Sequence, residues 1–349
     1  MKQGLSSKLK TVFGAAIVGA VIGPLFTCIA FGFDIERAVK GLIAGVMISF
    51  LSAFFEKFVL ETKFKKRNFS LVLAVRTIVY ISVISFSVMF VWVVHESMLN
   101  SRGVIATIQH NDFSNFMTRV FPYIFLFALA ISFMTNLVIQ VSGLLGKGVL
   151  LSYVTGRYHK PKMEERFFMF LDLESSTTIA ETIGPVKYHE FMSSFFFDIS
   201  RPIEQSKGEI YQYVGDEVVI SWKKQNSAGG AACLRCFFGI RDRIDSLSEK
   251  YIKQFGLIPG FKAGLHFGEV VIGEVGDLRK EIVFHGDVMN TASRIQGQSK
   301  VLNKQLLVSE EAIKHLELDD DMISEPLGSF RLKGKEVDIN IFEVTRKVK

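Results

Sequence analysis

Four long stretches without a charged side chain decide what the first 146 residues can become. Thr11–Phe33 and Val120–Gly146 hold no Asp, Glu, Lys or Arg. Neither do Gly41–Phe55 and Thr77–Val94, whose apolar character runs on to about 38–60 and 71–94. At 1.5 Å per residue, about 20 residues cross a hydrocarbon core ~30 Å thick. Backbone amides find no water there, so each stretch is predicted to be a transmembrane helix, at about 11–33, 38–60, 71–94 and 120–146. A mean hydropathy of +0.29 over the whole chain accords with a large lipid-facing portion. The first stretch is longer than a signal peptide's apolar run and no A-x-A site closes it, so it is read as an anchor. Cys28 follows Leu-Phe-Thr, a poor lipidation signal.

The basic residues orient these spans. Lys2, Lys8 and Lys10 precede the first, Lys57, Lys63, Lys65, Lys66 and Arg67 separate the second from the third, and Lys147, Arg157, Lys160 and Lys162 follow the fourth. The other side has little more than Arg37, Lys40, Arg102 and Arg119. The positive-inside rule then places both termini in the cytoplasm, in a multi-pass protein of the plasma or inner membrane. The formal charge of +6 conceals this asymmetry. Residues 1–163 carry 17 Lys and Arg against 6 Asp and Glu, and residues 164–349 carry 24 against 29. The surplus therefore speaks for membrane orientation and against nucleic-acid binding. His95 and His110, with Glu96 and Asp112, fall in or beside the larger outer loop, about His95–Thr118. Without ligand-like spacing they read as an ordinary solvated loop, and any ligand or partner of the membrane region is unknown.

Residues 147–165, mixed in charge with Gly and Pro, are predicted to be a cytoplasmic linker. From 166 to 349 short apolar runs alternate with amphipathic stretches. Arg166–Leu171 reads as a buried strand and Val186–Ser206 as a long helix, with Phe191, Phe195, Ile199 and Ile203 on one face. Gly208–Trp222 reads as two strands joined at Gly215-Asp216. Ala228–Phe255 is expected to be helical, Phe261–Gly276 to contain two strands around Gly268, and Met289–Ser299 to be a helix. A last strand pair, Phe330–Leu332 and Ile339–Val344, brackets Lys333-Gly-Lys335. The order suggests a ferredoxin-like βαββαβ core with extensions, an α+β fold.

Two acids at strand ends carry the chemistry. Asp172 closes the first strand before the Ser-rich turn Glu174–Thr178, and Asp216 sits at the hairpin tip. In a βαββ unit those two points lie side by side. Paired carboxylates repel unless one protonates or a cation joins them, and oxygen ligands suit Mg²⁺ or Mn²⁺. The turn after Asp172 offers backbone N–H groups at a helix N-terminus, where phosphate is favoured. Asn290 and Arg294, four apart, share a helix face and suit ribose and phosphate oxygens.

With these features the chain resembles the class III nucleotidyl cyclases, over about Arg166 to Val344. The likeness rests on Phe170–Thr177, Tyr213–Glu217, Gly264–Glu269 and Gly286–Arg294, in family order and spacing. It implies two Mg²⁺ or Mn²⁺ ions per active site, held by Asp172 and Asp216 with the Leu173 carbonyl assisting. It implies further that Asn290 orients the ribose, Arg294 stabilises the transition-state phosphate and Lys333 reaches the terminal phosphates. Thr177 is expected to touch the substrate. Family members work as dimers with acids from one chain and Asn/Arg from the other, so a homodimer with two equivalent sites is expected. The activity implied is adenylate cyclase, with ATP converted to 3′,5′-cyclic AMP and pyrophosphate in a bilayer-anchored enzyme.

The base-reading positions depart from the family. Adenylate cyclases often have Lys four residues before the second metal acid and Asp or Thr seven before the Asn. Here these are Gln212 and Val283. Gln serves adenine or guanine and Val bonds neither, so GTP, or a catalytically weak nucleotide-sensing module, stands as the alternative. Val214–Val218 also has a faint likeness to diguanylate cyclases, which lack the Asn-x-x-x-Arg helix. Cys233-x-x-Cys236 lacks two further zinc ligands and reads as buried thiols. His266 and His285 are expected to be structural.

Overall fold

The computed structural model describes residues 2–60, 68–146, 148–224, 231–335 and 337–347. The basic residues Lys63, Lys65, Lys66 and Arg67, residues 228–230 of the expected helix, and Lys147 of the expected linker lie outside these. The chain divides into two compact units, one ending at Leu145 and the other running from Gly146.

The first unit contains four helices long and apolar enough to cross a bilayer, Lys8–Phe31, Ile35–Leu60, Phe69–Leu99 and Asn111–Leu145. Two of these belong to α1 (Lys2–Phe31) and α2 (Ile35–Phe55), which meet along glycines. A Cβ on Gly19 or Gly23 would collide with the Gly45 or Gly41 carbonyl oxygen. Helices in lipid gain nothing from hiding apolar surface, so small residues that let backbones approach are what hold such a pair. Few ionisable groups enter this unit, and several are matched. Glu56 receives Arg76 Nη2 at 2.7 Å and the Tyr80 hydroxyl at 3.0 Å. Of the two histidines of the expected outer loop, His95 falls within the helix Phe69–Leu99, 3.0 Å from Glu36, and His110 lies 2.8 Å from Asp112.

The second unit is built on one mixed sheet. Its strands are β1 (Lys162–Leu173), β2 (Glu209–Val214), β3 (Glu217–Lys223), β4 (Phe261–Val275), β5 (Glu281–His285), β6 (Leu306–Ser309), β7 (Met322–Phe330) and β8 (Ile339–Arg346). Their order is β2-β3-β1-β4-β6-β8-β7, with β5 paired to β4. The first four strands of that order are antiparallel to one another in the ferredoxin-like arrangement, and β4 pairs with β6 in parallel. Phe167, Met169 and Leu171 of β1 pack with Phe191 and Phe195 on the helix Pro185–Gln205 and with Phe237 on the helix Ala232–Asp245. Phe168 and Phe170 pack on the other face, with Val288 and Ala292 of the helix Asp287–Leu302, here called the site helix. A strand covered on both faces reads as an unbroken apolar run, as this one does.

Three expected elements differ. In place of the two strands expected within Phe261–Gly276 there is one 15-residue strand, Phe261–Val275. Gly268 does not break it; a Cβ there would press on Val288 at 3.3 Å, so the glycine makes room for the site helix. The last strand pair begins earlier, at Met322, and Leu332 lies outside both strands, buried beyond Phe330. The expected helix over Ala228–Phe255 is broken into Ala232–Asp245 and Ser248–Phe255.

The site helix touches the sheet most closely at Gly264. A Cβ there would collide with the Gln296 amide nitrogen and come 2.7 Å from the Ala292 oxygen. Gly264→Val is therefore expected to destabilise the second unit by about 2–3 kcal/mol, the scale of forced overpacking. Gly297→Ala, on the open side of the same helix, is expected to stabilise by about 0.5–1 kcal/mol through helix propensity. Hydrogen exchange of the β4 and site-helix amides reads both.

Candidate active site

Strand parity aims the first acid. Asp172 is two residues beyond Phe170, so it shares the β1 face covered by the site helix. Opposite it in the ladder is Glu217, the first residue of β3. The turn between β2 and β3 turns at Gly215, φ +62°, and this brings Asp216 alongside, with the Leu173 amide donating to the Asp216 carbonyl at 3.4 Å. Asp172, Leu173 and Asp216 are thus brought together from points 44 residues apart.

Asp172 is 8% exposed. Its Oδ2 accepts from Gln296 Nε2 at 3.1 Å and lies 2.7 Å from Lys300 Nζ, both on the site helix. Burial pushes this carboxyl above the usual range; Lys300 opposes the shift and Asp216 adds to it. The neighbouring Glu217 is pushed up to about 7, first by burial and then by Asp172 and Asp216, against the pull of Lys300. Negative charge is therefore concentrated here beyond what one lysine offsets. Among the described residues no three His, Cys, Asp or Glu side chains form a metal cage. A cation at the acid pair needs further oxygens from the Leu173 carbonyl, water and substrate phosphate. That donor set suits Mg²⁺ or Mn²⁺, which keep water and bind through one or two carboxylates plus phosphate.

The turn after Asp172 leads into the helix Ser176–Ile183 through Ser175, at φ +57° and without a side-chain cap. Its first turn holds the exposed Thr177. Tyr188, from the following helix, has a phenol pushed above its usual range by burial and by Asp216.

Asn290 and Arg294 are placed elsewhere. Arg294 and Gln296, two apart at about 100° per residue, point about 160° away from each other. Arg294 instead meets the turn Leu332–Lys335, where a Cβ on Gly334 would lie 3.3 Å from its Nη2. Lys333 is exposed on that turn, and Lys335 pairs with Asp287 at the start of the site helix. Asn290 is exposed. The side chains therefore form two groups on different sides of one helix. Asp172, Leu173 and Asp216 with Thr177 make the first, and Asn290, Arg294 and Lys333 the second.

Gln212 and Val283 lie on different strands whose neighbouring residues meet. The Tyr211 and Phe284 rings stack at 4.5 Å and 9°, and the Tyr211 hydroxyl accepts from the Phe284 amide at 3.4 Å. Gln212 is exposed and Val283 half-buried. His266 bonds Ser309 Oγ at 2.7 Å and burial lowers its pKa to about 4. Cys233 and Cys236 are buried thiols, pushed up to about 12 by burial. Gln296 and Lys300 escaped the sequence reading. Their i, i+4 spacing puts them on one face, but only the sheet shows that the face is inward.

The model of the adenylate and guanylate cyclase catalytic domain matches residues 159–344, more than half of the chain. The chain belongs to this family, the class III nucleotidyl cyclases. Adenylate cyclase 2 of Rhizobium meliloti (strain 1021) is 36% identical over 222 residues, covering 64% of this chain and 61% of that protein. The adenylate cyclase of Anabaena cylindrica is 26% identical over 182 residues, covering 50% and 36%. The chain thus spans less than two-thirds of the length of either relative. A bacterial light-regulated adenylyl cyclase superposes with a TM-score of 0.54 at 20% identity, over 64% of this chain and 66% of that one, and shares the fold.

Glu217 gives the site a pH signature. Its folded pKa of about 7 exceeds the ordinary 4.5, so the folded state holds this proton more tightly. Stability from this group is full below about 4.5 and is lost as pH rises through about 7. Without divalent ions, Glu217→Gln is expected to flatten the decline in melting temperature over that window and to melt above wild type at higher pH. Thermal melts across the pH range in EDTA check this.

Proposed function

We propose that this chain is a membrane-bound adenylate cyclase, converting ATP to 3′,5′-cyclic AMP and pyrophosphate at two equivalent sites of a homodimer. The observation that carries the reading is the convergence of Asp172 and Asp216 on one buried edge, where oxygen ligands for divalent ions gather. The 3′-hydroxyl of the ribose gives its proton to water or to a substrate phosphate as its oxygen bonds the α-phosphorus, the bond from that phosphorus to the oxygen bridging to the β-phosphate breaks, and pyrophosphate leaves with that electron pair.

Asp172, Asp216 and the Leu173 carbonyl would hold Mg²⁺ or Mn²⁺, two per site. Such ions would supply Lewis acidity toward the attacking hydroxyl and the departing pyrophosphate. Thr177 and the uncapped helix start beside it cradle phosphate oxygens. Asn290 orients the ribose. The Arg294 guanidinium meets the charge that grows on the α-phosphate, where a planar fork is better matched than an ammonium. Lys333 approaches the terminal phosphates from its exposed turn.

The split between the two groups supports a site shared by two chains. Arg294 faces away from its own Asp172 across the helix, so a partner's acids complete the constellation. ATP is favoured by the relatives named as adenylate cyclases and by Gln212, whose amide can both accept from and donate to adenine. The four spans anchor the enzyme in the plasma or inner membrane with both termini in the cytoplasm, as the basic residues flanking them direct.

Full-length protein in membranes with ATP and Mn²⁺ is expected to yield cyclic AMP identified by mass, and Asp172→Ala to yield about a thousandfold less or none. Equal mixing of Asp172→Ala and Asn290→Ala chains is expected to restore about a quarter of wild-type activity, since half the dimers are mixed and each has one intact site. Absence of product with any divalent ion, or of recovery on mixing, contradicts the reading.

A further inference from the structure

The contact between Lys300 and Asp172 is not absorbed by the mechanism above. Lys300 Nζ lies 2.7 Å from Asp172 Oδ2. The same oxygen accepts from the buried Gln296, one helical turn earlier. Glu217 stands opposite Asp172 in the ladder and Asp216 is next to Glu217 in the chain. The ammonium thus meets one member of a group of three acids. The two site-helix residues differ in freedom. Gln296 is fixed by burial, whereas the Lys300 side chain is 60% exposed on a flexible four-carbon stem.

A divalent ion at the acid pair needs the oxygen that Lys300 now engages, and two cations a few ångström apart repel. We propose that Lys300 is a tethered counter-ion of the acid pair, one that holds Asp172 in the unloaded chain and must swing away before a divalent ion binds. It rests on the proposed metal-binding role of Asp172 and Asp216. Loading is then an exchange of one cation for another. Lys300 keeps the crowded carboxylates compatible with a folded β1 edge, and it raises the divalent-ion concentration at which the site fills. Lys300 is a positioning residue in this account, since it acts through Asp172.

The test uses the full chain in lipid nanodiscs, free of nucleotide, at a pH above the Glu217 transition near 7. Mn²⁺ binding is followed by electron paramagnetic resonance. Asp172→Asn serves as the reference: if wild type shows no Mn²⁺ binding that this change removes, the metal-binding reading itself fails, whatever Lys300 does. Where that binding is present, Lys300→Met is expected to bind Mn²⁺ about three- to fivefold more tightly, the scale of releasing one partly exposed ion pair. Lys300→Arg is expected to stay near wild type. Melting temperature gives a second readout. Lys300→Met is expected to melt below wild type in EDTA and level with it in saturating Mn²⁺. Unchanged or weaker Mn²⁺ binding by Lys300→Met overturns the proposal. So does a melting deficit that persists in Mn²⁺, since that marks an ordinary pin between helix and strand.

Discussion

Like charges crowded at the end of a buried strand are the constraint on which the second unit depends. β1 is covered on both faces, so its last residues lose water just where Asp172 and Glu217 stand opposite each other and Asp216 turns in beside them. Left alone, such a group would shed charge by protonation. Glu217 does so in part, and the surroundings add an amide from Gln296 and an ammonium from Lys300. The contact at Gly264 makes this possible, because a bulkier residue would lift the site helix off the sheet and take both groups away from Asp172.

The same helix separates functions by direction. Its inward face carries the apolar residues Val288, Ala292 and Ile295 and the two groups that reach Asp172. Another face carries Arg294, against the turn around Gly334. One helix therefore reaches Asp172 with one side and that turn with the other. The first unit has helices long and apolar enough to cross a membrane. There the close approach of Gly19 and Gly23 to Gly41 and Gly45 substitutes for a hydrophobic driving force, and Glu56 is matched by Arg76 and Tyr80.

Much of this was legible in the sequence because single-element rules suffice for it. Four uncharged spans permit only helices in lipid. The run Phe-Phe-Met-Phe-Leu reads as a buried strand, and the two acids follow from where a βαββ unit puts its strand end and its hairpin tip. What was missed depends on partners distant in sequence. Gly268 looked like a break because nothing local shows that Val288 lies above it. The start of β7 was hidden by its exposed residues and by Pro326, tolerated at an edge strand with a bulge. Gln296 and Lys300 carry no local signal, and only the sheet brings Asp172 to them.

The central claim is that Asp172 and Asp216 jointly hold divalent ions against a nucleoside triphosphate. Its most direct measurement is the anomalous scattering of Mn²⁺ in crystals of the dimeric protein with a non-cyclisable ATP analogue. The expected result is a pair of peaks about 4 Å apart, both bridging these two carboxylates to the triphosphate. Peaks lodged elsewhere, or carboxylate oxygens more than about 8 Å apart with nucleotide bound, would contradict the account.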